Sequence, residues 1–173
     1  MEIIGIEAKP SRMELVEFIH SLFPSRDLIN WKGNFDKTYV YNGIKNIENE
    51  DLNSESSFFT LHIEPNKSEF PTQITLLRTD EIRSEERELF LALKLSEKFN
   101  CRTIINAPDK LADHPYLSLI IEKGKIFEAD DDESDWGNGT ETGIGVKIIK
   151  EIQIEKFDFD KNGNIKKRQL LTT

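Results

Sequence analysis

The stretch "YLSLIIEKGKIFEA", residues 116–129, decides the fold class. Two runs rich in leucine, isoleucine and phenylalanine flank the pair Lys123-Gly124. A glycine between two such runs is typical of the tight turn of a β-hairpin. Hairpins join antiparallel strands, whereas parallel strands need long crossover connections. The stretch therefore predicts an antiparallel sheet.

Two helices are predicted from cap signals. Pro10 ends the opening strand, and Ser11 with Glu14 then forms an S-x-x-E capping box. A second, longer helix is expected to begin after Thr79, which can cap its first turn, and to end at Asn100. Acidic residues crowd the first turns of this helix, where the positive end of the helix dipole favours them.

The other apolar segments are predicted to be strands, at 58–65, 73–78, 102–108 and 144–154, and the polar segment 46–57 is expected to be an exposed loop. Strands and helices are segregated, and hairpins replace repeated strand-helix-strand units. We therefore predict a single α+β domain over residues 1–173, with a mainly antiparallel β-sheet and two helices packed on one face. In segment 144–154, alternation places Ile144, Val146, Ile148, Ile152 and Ile154 on one face, interrupted only by Lys150.

Composition restricts the choice of partner. The chain has 32 acidic and 23 basic residues and a net charge of -9, which repels nucleic-acid phosphates and anionic membranes and attracts basic proteins.

Cys101 is the single cysteine, so no intramolecular disulfide is expected. The first residues lack a basic, apolar leader, and no apolar run approaches the roughly 20 residues of a membrane span. We expect a cytoplasmic protein with a protein partner, and neither nucleic acid nor membrane.

The stretch "KFDFDKNGNIKK", residues 156–167, begins like a calcium-binding loop. Its D-x-D-x-N-G pattern runs from Asp158 to Gly163 and matches the first six positions of an EF-hand loop. The twelfth position, however, is Gln169, whose neutral amide cannot supply the bidentate carboxylate that such a loop needs. We therefore predict no metal site in this stretch.

A β-hairpin explains the same stretch better. Gly163 suits the left-handed corner that follows a type I turn. This register places Phe159 opposite Ile165 and Asp158 opposite Lys166, and we expect the hairpin to close the antiparallel sheet.

The densest acidic run is "EADDDESDWGNGTETG", residues 128–143. Clustered carboxylates attract a basic protein over long distances, and a tryptophan is a frequent anchor at interfaces. The same run is also compatible with a weak cation site or with a solvated loop. The predicted partner-binding residues are Glu128, Asp130, Asp131, Asp132, Glu133, Asp135 and Trp136.

No catalytic motif is present in the sequence. His20, His62 and His114 do not have the spacing of a zinc site. Cys101 with His62 or His114 as base is a conceivable nucleophile, but a lone cysteine between a helix and a strand is more typical of a small buried hydrophobe. We therefore predict that the protein is not an enzyme and has no catalytic residues, metal or cofactor.

The segment "LALKLSEKFNCRTIINAPDK", followed by "PYLSLIIEKGKIFEADDDESDW", resembles small acidic bacterial proteins of the toxin-immunity kind. The resemblance covers roughly the C-terminal half of the chain. It implies an immunity protein that binds a cognate toxin domain, often a basic nuclease, and blocks it by charge and shape. Two other functions stay open at this point: a small carboxylate- or metal-dependent enzyme, and an adaptor subunit of a larger assembly.

Overall fold

The computed structural model describes residues 1–31, 39–40, 58–78, 83–134, 136 and 144–169. The predicted loop at 46–57 therefore lies outside the described residues. In chain order, the elements are β1 (Glu2–Ile6), α1 (Arg12–Leu22), β2 (Asp27–Trp31), β3 (Tyr39–Val40), β4 (Phe58–Pro65), β5 (Thr72–Arg78), α2 (Ser84–Phe99), β6 (Thr103–Asn106), β7 (Leu117–Glu122), β8 (Lys125–Asp130), β9 (Lys147–Ile152), β10 (Lys156–Phe159) and β11 (Ile165–Gln169).

Nine of the described strands form one sheet, in the order β3-β2-β4-β5-β1-β6-β7-β8-β9. Among the described strands, β2 and β4 are parallel and the other pairs are antiparallel. The predicted turn joins β7 to β8, and Lys123 and Gly124 have φ angles of 50° and 79°. Positive φ at both positions is what a two-residue hairpin turn of this kind requires. The predicted α+β fold with a mainly antiparallel sheet is confirmed.

Both helices pack on the same face of the sheet, as predicted. The capping box at the start of α1 is present: Glu14 N–H donates to Ser11 Oγ at 3.2 Å, and Ser11 N–H donates to the Glu14 carboxylate at 2.8 Å. The main core lies between this face and the helices. It contains Leu15 and Ile19 of α1, Leu91 and Leu95 of α2, and strand residues that include Ile4, Ile6, Leu76, Leu119 and Ile121.

The predicted start of the second helix at Thr79 is wrong, whereas its end is confirmed. α2 begins at Ser84 because Arg83 is left-handed, with φ 60° and ψ 41°, a conformation that right-handed helices do not continue through. Thr79 itself lies outside the described residues. Asn100 is also left-handed, with φ 47°, and its N–H donates to the carbonyl of Ser96.

The opposite face of the sheet carries a second, smaller core around Gly5 of β1. A Cβ atom on Gly5 would lie 2.5 Å from Cγ2 of Ile104 and 3.2 Å from Cε3 of Trp136. Glycine is therefore required for these side chains to pack directly on β1. The buried members of this second core are Phe70, Ile104, Ile120, Ala129, Trp136 and Val146.

β9 forms one edge of the sheet, and the prediction that the isoleucines of this segment share one face is wrong: Ile148 pairs with Ala129 of the second core, and Ile152 pairs with Ile126 of the main core. The pairing with β8 shifts between Glu128 and Ala129, so that Ile149 is an extra residue in β9. This bulge interrupts the alternation of faces, and Ile148 and Ile149 are 43% and 50% exposed. Bulges and lysines such as Lys147 and Lys150 hinder an edge strand from pairing with other chains.

The C-terminal hairpin has the predicted corner. Gly163 has a φ of 74°, and its N–H donates to the carbonyl of Asp160 at 2.9 Å. The Asp160 carboxylate accepts hydrogen bonds from the N–H groups of Asn162 and Asn164, at 2.8 and 3.0 Å. Asp160 thus stabilises the turn itself.

Two other predictions for the hairpin are wrong. Phe159 pairs with Ile165 as expected, but an irregularity next to it places Asp158 opposite Lys167 instead of Lys166. The hairpin also forms a separate two-stranded sheet rather than closing the main one. It packs on α2, where the rings of Phe159 and Phe90 are 5.1 Å apart.

Candidate functional site

The predicted partner-binding residues lie at the end of β8 and directly after it. Glu128 and Asp130 belong to β8, and the carbonyl of Asp131 accepts a hydrogen bond from the N–H of Ser134 at 3.0 Å, which closes a turn. Asp135 lies outside the described residues. We call residues 130–133 the acidic turn.

Trp136, one of the predicted partner-binding residues, is buried. Only 1% of its surface is accessible, and Nε1 donates to Asp131 Oδ2 at 2.5 Å and to Ser118 Oγ at 3.1 Å. Its carbonyl accepts a hydrogen bond from Nδ2 of Asn66 at 2.7 Å. Trp136 was predicted to bind the partner, and a side chain with so little accessible surface has almost none to offer one. Trp136 belongs to the second core and holds the acidic turn against the sheet.

Asp131 connects the acidic turn to the sheet. Its carboxylate accepts hydrogen bonds from Ser118 Oγ at 2.7 Å and from the indole of Trp136. Burial raises the pKa of Asp131, and these two hydrogen bonds oppose that shift because they stabilise the carboxylate. The carboxylate of Asp131 therefore binds groups within the chain, and we assign Asp131 a structural role in holding the acidic turn rather than a direct contact with a partner.

The other carboxylates differ in how far they are available to a partner. Glu128 is largely covered and forms an ion pair with Lys150 at 3.0 Å. Asp130 Oδ1 accepts a hydrogen bond from the N–H of Asp132 at 3.1 Å. Asp132 and Glu133 are exposed. The acidic turn thus presents Asp132 and Glu133 most openly, with half-buried Asp130 beside them.

An exposed aromatic residue that the sequence prediction missed lies beside the acidic turn. Tyr116 is 50% exposed, and its carbonyl accepts a hydrogen bond from the N–H of Asp131 at 3.0 Å. Asp113, in the same loop, is exposed as well. Pairing outward from the predicted turn at Lys123-Gly124 places Tyr116 opposite Asp131, so the hairpin register was the signal that could have found it.

Arg102 positions the carboxylate of Glu69, which in turn binds the chain just before β9. It donates hydrogen bonds to Glu7 at 2.8 Å and to Glu69 at 2.7 Å, and its guanidinium lies 5.5 Å from the ring centre of Phe70. Glu69 also accepts a hydrogen bond from the N–H of Val146. Trp136 and Val146 are therefore both anchored to the second core, one on each side of segment 137–143, which lies outside the described residues.

A second group of ionisable side chains lies between β1 and α2, where Glu2 and Arg87 are buried and Glu88 is half-buried. Glu2 forms an ion pair with Arg87, and both side chains are at most 1% exposed. Glu88 Oε1 accepts a hydrogen bond from the N–H of Ile3 at 2.8 Å. β1 pairs with β6 only through Gly5 and Ile6. At Ile3, where β6 does not pair with β1, Glu88 supplies the acceptor for the backbone N–H group.

The environment of Glu88 disfavours its charged form. The pKa of Glu88 is raised to about 8: burial raises it most, the hydrogen bond from Ile3 opposes this shift, and the Glu2 carboxylate adds to it. Burial likewise raises the pKa of Glu2, although Arg87 opposes the shift. Raised pKa values of this kind occur in catalytic acids and also in purely structural clusters.

Two cavities in the described part of the chain lie away from the carboxyl groups of Glu2 and Glu88. One, of about 690 Å³, lies between α2 and the C-terminal hairpin and is lined by Lys94, Lys123 and Lys156 together with Glu97 and Asp158. Charges of both signs give it no clear ligand preference. The other, of about 310 Å³, lies near the start of α2. Neither is lined by Glu2 or Glu88.

The residues considered for nucleophilic or metal chemistry are not arranged as a site. Burial raises the pKa of the Cys101 thiol, and nearby Glu7 raises it too, which disfavours the reactive thiolate. His62 lies 3.5 Å from Glu64, and His114 is exposed in the loop that carries Tyr116. Within the described ranges, no three His, Cys, Asp or Glu side chains are grouped so that they could hold a metal ion. No helix in those ranges is long and apolar enough to cross a membrane.

The chain matches no protein-family model, no curated protein and no solved structure. The toxin-immunity resemblance therefore stays an expectation from the sequence, and the functional argument depends on the geometry of the surface.

Proposed function

We propose that the protein is a non-enzymatic binding protein that neutralises a basic partner, and that this partner is a cognate toxin domain. The observation that carries the proposal is the acidic turn, whose exposed carboxylates are held on a buried scaffold. Asp132 and Glu133 face solvent, while Asp131 and Trp136 fix the same turn from within.

A fixed acidic turn has two physical advantages for binding a basic protein. Its backbone is already ordered, so less conformational entropy is lost when the partner binds. Its charges, on a chain with a net charge of -9, attract a basic domain before contact and raise the association rate. Tyr116 adds an exposed aromatic contact of the type enriched at interface hot spots.

The test begins with the reading frame next to the gene, because toxin and immunity genes of this kind are expected to be neighbours. The purified product of that frame should bind the protein in a pull-down and lose its toxic activity when the protein is added. If the neighbouring product is a toxin domain that neither binds nor loses activity, the proposal is refuted.

Substitutions of the exposed residues Asp132, Glu133 and Tyr116 then test whether this surface binds the partner. Asp132→Asn combined with Glu133→Gln should slow association, and Tyr116→Ala should speed dissociation. The matched control is Glu17→Gln combined with Glu97→Gln, which removes the same charge from exposed positions on the helices.

A carboxylate-dependent enzyme is the second candidate, favoured by the raised pKa of Glu88. Glu88→Gln separates the two functions. A binding protein that uses the acidic turn would keep its affinity for the partner, whereas an enzyme that uses Glu88 as an acid would lose its turnover.

A further inference from the structure

The exposed apolar side chains of the described residues are concentrated around the acidic turn. Seven large hydrophobic side chains are at least 38% exposed in the described ranges, and four of them belong to Tyr116 or to segment 144–149. Single exposed apolar side chains are normal on a protein surface, whereas a group of them with a polar rim is typical of an interaction site. Tyr116, Ile148 and Ile149 are 50%, 43% and 50% exposed. We call these three residues the apolar patch.

The pairing of β8 with its two neighbours places the apolar patch beside the acidic turn. Asp130, the first residue of the turn, pairs with Lys147 on one side and with Leu117 on the other. Ile148 directly follows Lys147, and Tyr116 directly precedes Leu117. Neighbouring strands lie about 4.8 Å apart and residues along a strand about 3.3 Å, so the two ends of the patch are roughly 12 Å from each other. The acidic turn leaves β8 between them.

Tyr116 and Ile148 also share a face of the sheet. Ile148 pairs with Ala129, and Ala129 pairs with Ser118. Ala129 belongs to the second core, and Ser118 Oγ accepts a hydrogen bond from the indole of Trp136. Tyr116 lies two residues before Ser118, so the alternation of a strand places its side chain on that same face. The apolar patch therefore borders the second core, on the face opposite the helices.

The edge of β9 favours contact through side chains over pairing of backbones. Ile149 is the extra residue of the bulge, and Lys147 and Lys150 flank the two isoleucines. The bulge and the lysines hinder the addition of a further strand, but they leave Ile148 and Ile149 exposed side by side. A partner would therefore cover the apolar patch with its own side chains, without extending the sheet.

The charges around the apolar patch favour a basic partner over a second copy of the chain. The acidic turn contributes three carboxylates besides that of Asp131, and of the two lysines in β9 Lys150 is paired with Glu128 at 3.0 Å. Lys147 is then the lysine of β9 that offsets these carboxylates. A symmetric dimer uses the same surface on both chains, so a second copy would bring its own acidic turn and its own net charge of -9 to the contact. Like charges disfavour that contact.

We propose that the apolar patch receives an apolar side chain of the basic partner, while the acidic turn binds the lysine or arginine side chains around it. This inference depends on the proposed function for the identity of that partner. An apolar centre with a polar rim is the usual arrangement of protein interfaces. Contacts buried in the centre mainly slow dissociation, and charges at the rim mainly speed association. The patch and the turn thus have separable effects on the kinetics of binding.

The direct test uses two probe peptides of equal charge, Ac-KRLRK-amide and Ac-KRSRK-amide, which differ only in a central leucine or serine. Each is titrated into the protein carrying labelled isoleucine methyl groups. We expect saturable NMR shifts at Ile148 and Ile149, and a Kd about threefold to tenfold lower for the leucine peptide, because a surface contact gives part of the free energy of burying a leucine. An equal Kd for the two peptides, or shifts that map away from both isoleucines, would overturn the inference.

A double variant checks that the preference for leucine comes from the apolar patch. Ile148→Thr with Ile149→Thr keeps β-branched side chains, which suit a strand, and should make the two Kd values equal when they are measured from the amide shifts of the acidic turn. The matched control, Met13→Gln with Leu77→Thr, removes two exposed apolar side chains from α1 and β5. A control that also lost the preference would place the apolar contact elsewhere and overturn the inference. If the double variant does not fold, the comparison of the two peptides on the wild-type chain still decides.

The toxin domain of the proposed function separates failure of the apolar patch from failure of that function. The isoleucine double variant should dissociate from that domain about tenfold faster, at an unchanged association rate. A toxin domain that binds this variant and the matched control equally would refute the patch and leave the function standing. A preference for the leucine peptide, together with a toxin domain that does not bind the protein, would refute the function and leave the patch standing. Self-association of the wild-type chain in sedimentation, lost in the double variant, would assign the patch to a second copy and overturn the inference.

Discussion

Glu88→Gln should make the protein more resistant to alkaline conditions. The carboxyl group of Glu88 accepts a hydrogen bond from the Ile3 N–H in a half-buried position, and its pKa is raised there to about 8 from an ordinary value of 4.5. Between these two pH values the folded chain holds a proton that the unfolded chain has released. Stability therefore falls as pH rises through this window, and levels off above the folded pKa.

The size of the effect follows from the two pKa values. Each pH unit inside the window costs about 1.4 kcal/mol, so complete deprotonation of Glu88 costs on the order of 5 kcal/mol. Between about pH 5 and about pH 9, the wild-type chain should lose about 4 kcal/mol through this group alone. Glutamine keeps an oxygen acceptor for Ile3 but carries no charge at any pH, so the variant should not show this loss.

The assay is urea unfolding of both proteins at several pH values across that range. The difference in unfolding free energy should change steadily in favour of Glu88→Gln as pH rises. Glu97→Gln serves as the control because Glu97 lies on the same helix with 77% of its side chain exposed, and it should show no such trend. A constant difference between Glu88→Gln and the wild type at all pH values would refute the reasoning.

Three further substitutions, with Gly145→Ala as the control for one of them, test the packing and the turn. Trp136→Phe should lower the free energy of unfolding by about 1–3 kcal/mol, because the carboxylate of Asp131 loses a buried donor, and should broaden the amide resonances of the acidic turn. Gly5→Ala should lower the free energy of unfolding by about 1–3 kcal/mol because its Cβ would lie 2.5 Å from Ile104 Cγ2, whereas Gly145→Ala, whose Cβ would come no closer than 3.2 Å to Glu69 Oε1, should lower it less. Gly163→Ala should lower the free energy of unfolding by about 1 kcal/mol because Gly163 has a positive φ. Unchanged thermal unfolding of Trp136→Phe, Gly5→Ala or Gly163→Ala would contradict the contacts described for that residue.

The features predicted from sequence are those that depend on neighbouring residues. The capping box of Ser11 and Glu14 is complete within four residues, so its pattern sufficed to place the start of α1. The turn at Lys123-Gly124 is likewise local and fixed the β7–β8 register. The start of α2 was placed too early because helix propensity continues through Arg83, and only its left-handed φ ends the helix there.

The features that sequence reasoning missed depend on contacts between distant segments. Trp136 has an acidic, glycine-rich neighbourhood that indicates a loop, and its burial follows from the space that Gly5 leaves on β1. The bulge at Ile149 changes which residues of β9 face the core, and no local pattern marks it. The hairpin register placed Tyr116 beside the acidic turn, but only the structure shows that Asp131, the residue opposite it, is bound to Ser118 and Trp136 and holds the turn in place.

We propose that exposed carboxylates on a fixed turn attract a basic toxin domain, and the most direct test is the association rate constant with that domain as a function of ionic strength. We predict a rate that falls steeply as salt shortens the range of the attraction from about 10 Å at 0.1 M to about 3 Å at 1 M. At low salt, the variant with Asp132→Asn and Glu133→Gln should associate more slowly than the charge-matched control on the helices. A rate that does not respond to salt, and that is the same in both variants, would contradict the account.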